Sequence, residues 1–292
     1  MRGDLDSILA EKGAEALLLY SESFKDVNMY YLTNFLAPDP FILLKKLDSE
    51  PTIVVSPMEF PRARKESVVK DVRPYAEYDY LRVVKAAGEP KMGMMRFLAT
   101  VVKRELGEGT VISVPPNFSA MALDVLRAEG LNLKPMFDVI EKARETKDQN
   151  EIGEIKAVQA VVEKVAEEVM DVISNCEVGP GDTLIHRTEG GKEPLTVGRV
   201  KAFMGARFLD HGCTIEEEVI VACGPRSADP HYFGVPEDEL KANQPIIIDV
   251  YPRSVRKRYC ADMTRTVVRG NAPDEVERMF EAVLEAKNAC VD

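Results

Sequence analysis

"PIIIDVYPRSVRKRYCADMTRTVVRG", residues 245–270, runs an apolar strand straight into Asp249 and brings the chain back through Asp262 into a second β-branched run. A strand that is apolar at consecutive positions is expected to be covered on both faces. An ionised carboxylate there costs several kcal/mol unless something pairs with it. Two such acids on neighbouring strands therefore ask for a cation. Were they directly opposite one another, the turn would be Val255-Arg256, which lacks the Gly or Asn that a two-residue hairpin wants. A longer loop or a bulge is expected instead, leaving the two side chains on one face but offset. Like charges so placed would raise one pKa sharply unless a metal ion held both as carboxylates. Carboxylates bridging a pair of divalent ions suit the activation of water against an amide. The alternative without chemistry pairs Asp262 with Arg265 or Lys257 and leaves Asp249 at a sheet margin.

Around this segment the chain has 292 residues, 45% of them hydrophobic and 30% charged, enough for one large domain or two ordinary ones. The 49 acids and 38 bases give a net charge of -11, which argues against nucleic acid or an anionic membrane as partner and favours small or peptidic ligands. Charges interrupt the start, Met1-Arg2-Gly3-Asp4-Leu5-Asp6, and no uncharged stretch reaches membrane-spanning length, so the cytoplasm is the expected compartment. Five cysteines (Cys176, Cys213, Cys223, Cys260, Cys290) without a CxxC pair indicate neither a disulfide framework nor a cysteine zinc site.

Upstream, "ALLLY" (16–20), "FILLKK" (41–46), "PTIVVSP" (51–57) and "TVISVP" (110–115) alternate with the helical "MMRFLATVVKREL" and "SAMALDVLRAEG". That spacing predicts an α/β layer with a mostly parallel sheet. A capping-box pattern, Asp148 followed by Glu151, opens a long helix in which Ile155, Val158, Val162, Val165, Val169 and Val172 form one stripe. A domain boundary is placed just before it. Later come a helix in "LTVGRVKAFMGARFLDHG", the strand "EEVIVACG", and a final helix "APDEVERMFEAVLEAKNACV" that Asn271 can cap. Between strand and acids lies the loop "PRSADPHYFG" with His231, one of only three histidines (His186, His211, His231). Loops at strand ends are where catalytic groups gather, although a hydrogen-bonded loop histidine needs no such role. His211 reads as an imidazole at a helix C-terminus, and Arg265 either contacts an anionic substrate or bridges to one of the acids.

Taken together, "IIIDVYPRSVRKRYCADMTRTVVRG" preceded by "VACGPRSADPHYFG" resembles the pita-bread-fold metallopeptidases: Xaa-Pro aminopeptidases, prolidases, methionine aminopeptidases and the metal-free creatinases. "ALLLY" and "VNMYYLTNF" resemble the creatinase-type N-terminal domain, and "EKARETKDQNEIGEIKAVQAVVEKV" the linker and first helix of the catalytic domain. The resemblance implies an α/β creatinase-like N-terminal domain over residues 1–145. An α+β pita-bread catalytic domain would follow, with its first part over 146–292. It further implies hydrolysis of the peptide bond before proline by a hydroxide shared between two divalent metal ions (Mn, Co or Zn). Asp249 would be a terminal metal ligand, Asp262 a bridging one, and His231 the histidine that contacts substrate or helps move a proton. Proline-containing peptides as substrates and a homodimer are also implied, and the N-terminal domain favours the aminopeptidase P and prolidase branch.

The chain departs from that family pattern in several places. The further ligands of the family are a histidine and two glutamates from the second half of the catalytic domain, yet no histidine follows His231 here. Tyr251 stands where many members have glycine, and the link between the acids is longer than in short-looped members. The expectation is a chain shortened at its C-terminus, inactive as it stands, with an open sheet edge and an uncovered apolar face. The competing readings are a non-catalytic pita-bread module that binds peptides or supports assembly, and a metal-free creatinase-like amidinohydrolase, which the retained acids disfavour.

Overall fold

The computed structural model describes residues 4–188 and 190–291. The chain forms two compact units, Met1–Thr146 and Lys147–Asp292.

The first unit contains, in order, α1 (Asp4–Glu11), β1 (Ala16–Ser21), α2 (Val27–Thr33), β2 (Phe41–Lys46), β3 (Thr52–Val55), α3 (Phe60–Glu66), β4 (Asp71–Pro74), α4 (Tyr80–Ala87), α5 (Pro90–Leu106), β5 (Val111–Val114), α6 (Ala120–Ala128), β6 (Asn132–Pro135) and α7 (Ile140–Glu145). Its strands make one sheet in the order β4-β3-β2-β1-β5-β6. Helices cover both faces, which explains why β1 is apolar without alternation. Leu17 and Leu19 pack in one core with residues of α1 and α7, while Ala16 and Leu18 pack in another with residues of α5 and α6. The sheet is mostly parallel, with one antiparallel insertion. β3–β4, β1–β5 and β5–β6 run parallel, but β2 is antiparallel to both neighbours. The link from β2 to β3 is too short for the crossover that a parallel neighbour requires.

The second unit opens with α8 (Gln149–Ser174). Its capping box closes both ways: Glu151 N–H donates to Asp148 Oδ1 at 2.9 Å, and Asp148 N–H donates to Glu151 Oε2 at 2.8 Å. Then come β7 (Glu177–Val178), β8 (Leu184–Thr188), β9 (Gly191–Pro194), α9 (Val197–Asp210), β10 (Cys213–Thr214), β11 (Ile220–Cys223), β12 (Pro245–Val250), β13 (Arg253–Ser254), β14 (Met263–Val268) and α10 (Asp274–Val291). β11, β12 and β14 form an antiparallel sheet, with β12 in the middle. One core holds Val158, Val162, Val165 and Val169 of α8, Val200, Met204 and Phe208 of α9, and Ile246, Ile248 and Val250 of β12. Full burial of each such side chain is worth roughly 1.5–3 kcal/mol before entropy is counted. His211 follows α9 as its C-cap, its N–H reaching Arg207 and Phe208 carbonyls.

Two expectations are corrected here. β12 is buried on one face only: Ile246, Ile248 and Val250 are inside, whereas Ile247 and Asp249 are half-buried. Apolar residues at consecutive positions signalled cover on both sides, but α8 and α9 pack against a single face of this sheet. Asn271 does not cap α10, which begins at Asp274; its backbone N–H is spent on Asn243 Oδ1 at 3.0 Å. Along α10, Met279, Phe280, Val283 and Leu284 recur at helical spacing and are all exposed. No helix among the described residues is long and apolar enough to cross a membrane.

Candidate functional site

The two acids come together through the register of β12 and β14. Asp249 faces Thr264, and the ladder ends with Val250 opposite Met263. Asp262 immediately precedes β14, two residues from Thr264, and so falls on Asp249's face as its diagonal neighbour. Such positions are about 7–8 Å apart. The offset follows from the connection. Ser254 N–H donates to Tyr259 O and Arg258 N–H to Ser254 O, with Arg258 at φ 62°, so the basic link folds into a small turn of its own. Arg253 and Ser254 leave the main ladder to pair with β10. Neither basic neighbour is spent on Asp262: Lys257 pairs with Glu154 at 3.1 Å, and Arg265 Nη1 donates to the Thr264 carbonyl at 2.9 Å.

The acids differ in their surroundings. Asp249 is half-buried and accepts a 2.5 Å hydrogen bond from Thr264 Oγ1, whereas Asp262 is exposed. Thr264 could have been picked out beforehand, since it lies two residues after Asp262 and therefore on the same face. Tyr251, two residues after Asp249, shares that face too. Its hydroxyl donates to the Glu218 carbonyl at 2.5 Å. Burial pushes the phenol's pKa up, and the charges of Glu217, Asp249, Asp262 and Glu218 push the same way. The end of the strand is thus ringed by negative charge. Below it Glu216 forms ion pairs with Arg253 and Arg258, and burial, then repulsion from Arg258, lowers the Arg253 guanidinium.

His231 lies elsewhere on the sheet. β11 passes into a 3₁₀ turn, Gly224–Ala228, and the following loop returns so that Val221 N–H donates to Phe233 O at 3.2 Å. This bond puts the loop on the edge of β11 away from β12, two strand spacings from Asp249, or roughly 10 Å at the backbone. His231 is exposed, and its own N–H donates to Asp229 Oδ1 at 2.9 Å. The loop contains a further network that the sequence did not disclose. Tyr232 OH donates to Asp238 Oδ2 at 2.5 Å, and Arg226 Nη1 donates to Tyr232 OH at 2.8 Å and to Asp238 Oδ1 at 3.0 Å. Only the shared loop hinted at it, because the three residues follow no local period.

A divalent ion is implied by the resemblance, and the donor set is the test of it. Among the described residues no three His, Cys, Asp or Glu side chains converge as a metal site would require. Two carboxylates, one already accepting from Thr264, leave most of the six or so oxygen positions of a hard cation unfilled. These residues by themselves do not close a coordination shell.

Comparisons with known proteins agree with the architecture. Residues 2–146 match the creatinase/prolidase N-terminal domain, and residues 153–292 match metallopeptidase family M24. An Xaa-Pro dipeptidase of Pyrococcus horikoshii is 27% identical over 180 residues, covering 59% of this chain and 48% of that protein. The chain thus matches about half the length of this curated relative. A prolidase from Pyrococcus furiosus superposes with a TM-score of 0.68 at 19% identity, over 97% of this chain and 70% of that one. An X-Pro aminopeptidase from Thermotoga maritima gives a TM-score of 0.71 at 21% identity, over 94% and 68% respectively. The second unit has the pita-bread fold of these neighbours and is a domain of metallopeptidase family M24, and the first is a creatinase/prolidase-type N-terminal domain.

Proposed function

We propose that this chain serves hydrolysis of the peptide bond before proline, with Asp249 and Asp262 as the acids of the reaction centre and His231 as the group that meets the substrate. The carrying observation is the register that makes Asp249 and Asp262 diagonal neighbours on a face that the second unit leaves open. The two carboxylates carry the negative charge of that face, so a cation drawn to it would meet both. The names of the relatives, Xaa-Pro dipeptidase and prolidase, support the substrate class. The chain's own residues act by holding and orienting: Thr264 pins one oxygen of Asp249, Asp262 stays open to solvent, and Tyr251 borders both. Divalent ions such as Mn, Co or Zn would need ligands beyond these two acids. Five cysteines without a CxxC pair fit a reducing, cytoplasmic setting.

The test uses the natural gene product. Its intact mass is measured, and the same sample is assayed on an Xaa-Pro dipeptide and a longer Xaa-Pro peptide with and without manganese. Metal-dependent cleavage lost in Asp262→Ala supports the reading; absence of cleavage under every condition overturns it. A second reading is a non-catalytic module that binds proline-containing peptides, favoured by the lack of any converging three-ligand cluster among the described residues. In that case peptide binding persists unchanged by manganese and by Asp262→Ala.

A further inference from the structure

The loop that presents His231 is held on both sides of that residue. On the N-terminal side Asp229 accepts the His231 N–H through its side chain at 2.9 Å and the Tyr232 N–H through its carbonyl at 3.1 Å. On the C-terminal side the Tyr232 hydroxyl is locked to Asp238 at 2.5 Å, with Arg226 bonded to both and its guanidinium carbon 5.6 Å from the centre of the Tyr232 ring. Asp238 is itself anchored: its N–H donates to Val235 O at 3.0 Å, and its carbonyl accepts from Val197 N–H, at the start of α9, at 2.9 Å. A short O–H···O⁻ bond is the strong member of such a set. Arg226, whose side chain is 63% exposed, is the weak one.

We infer that Asp238 and Tyr232, with Arg226 in support, are positioning residues that hold the His231 backbone in place for a substrate. They do not touch the substrate themselves. The inference rests on the reading of His231 as the substrate-facing group, but its structural half is measured independently.

Selective ¹⁵N-histidine labelling of the 292-residue chain gives three backbone amide signals, from His186, His211 and His231, with the His231 signal assigned through His231→Gln. In the wild type the His231 amide is expected to be rigid, with an order parameter near about 0.85. In Asp238→Asn and in Tyr232→Phe it should fall toward about 0.6 while the other two signals stay unchanged, with Arg226→Ala giving a smaller drop. Should Asp238→Asn unfold, all three signals collapse together, and Tyr232→Phe, which removes one oxygen atom, decides. An unchanged His231 amide in a folded Tyr232→Phe protein overturns the inference. The functional half is read on an Xaa-Pro dipeptide, where Tyr232→Phe should lower kcat about tenfold or more with little change in KM, as misplacement of a reacting group does. Equal activity of the wild type and His231→Gln would overturn the role of His231 and leave the amide result to stand on its own.

Discussion

Gly234 is the position where the architecture around the site is least tolerant of change. Its φ is +83°, and a Cβ built there would lie 2.2 Å from the Val221 carbonyl oxygen and 3.1 Å from Val197 Cγ1. Val221 belongs to the β11 segment whose N–H carries the loop through Phe233 O. Gly234→Ala therefore has two costs. The left-handed backbone costs an L-residue about 1–2 kcal/mol. Relief of the overlap displaces the loop from β11 and weakens the Val221–Phe233 hydrogen bond, which adds roughly 1–2 kcal/mol. The total is about 2–4 kcal/mol, against about 1–2 kcal/mol for Gly212→Ala, where φ is +70° and nothing lies within 4 Å of the added methyl. Amide exchange followed by mass spectrometry, with urea added stepwise, reads the second unit separately from the first. Peptides spanning residues 219–223 should lose protection roughly 30-fold or more in Gly234→Ala, and about tenfold in Gly212→Ala. Equal losses in the two variants would refute the steric argument. A Gly234→Ala protein as protected as wild type would refute the placement of the loop against β11.

Two further outcomes follow from the same unit. Phe208 is completely buried in the core shared by α8, α9 and β12. Phe208→Ala should cost about 3–5 kcal/mol, read as a lowered urea midpoint for peptides of the second unit while those of the first keep theirs. The Asp238 carboxyl is acted on first by burial, which raises its pKa, but the bonds from Tyr232 and Val235 and the Arg226 charge outweigh this and hold it below the usual carboxylate range. A carboxyl depressed in the folded state stabilises the fold above its unfolded value, about 3.9, and that contribution is lost as pH falls through the lower folded value. Exchange in peptides covering 229–238 should therefore rise below about pH 4 in the wild type but show no such step in Asp238→Asn.

Much of the molecule could be read from local chemistry. The valine stripe and the Asp148–Glu151 box specify α8, because helix periodicity and end-capping are settled within a few residues of one another. The offset of Asp249 and Asp262 was equally legible: Val255-Arg256 cannot form a tight hairpin turn, and strand alternation then leaves both acids on one face. Other features depend on partners remote in the chain. Whether β12 is covered on one face or two depends on where α8 and α9 dock, and the run of isoleucines is compatible with either arrangement. The antiparallel insertion of β2 depends on pairing partners that hydrophobic pattern alone does not specify. Asn271 had the chemistry of a cap, yet the helix starts beyond it, at Asp274, and Asn271 is tied instead to the remote Asn243. In the same way Arg226, Tyr232 and Asp238 have ordinary surface identities, and only the closing of their loop makes them one network. Local rules thus determined α8, the strands that carry the two acids, and the offset between those acids. Tertiary structure decided which faces are covered, where His231 stands relative to those acids, and what holds it there, because packing and long-range hydrogen bonds join residues that share no sequence period.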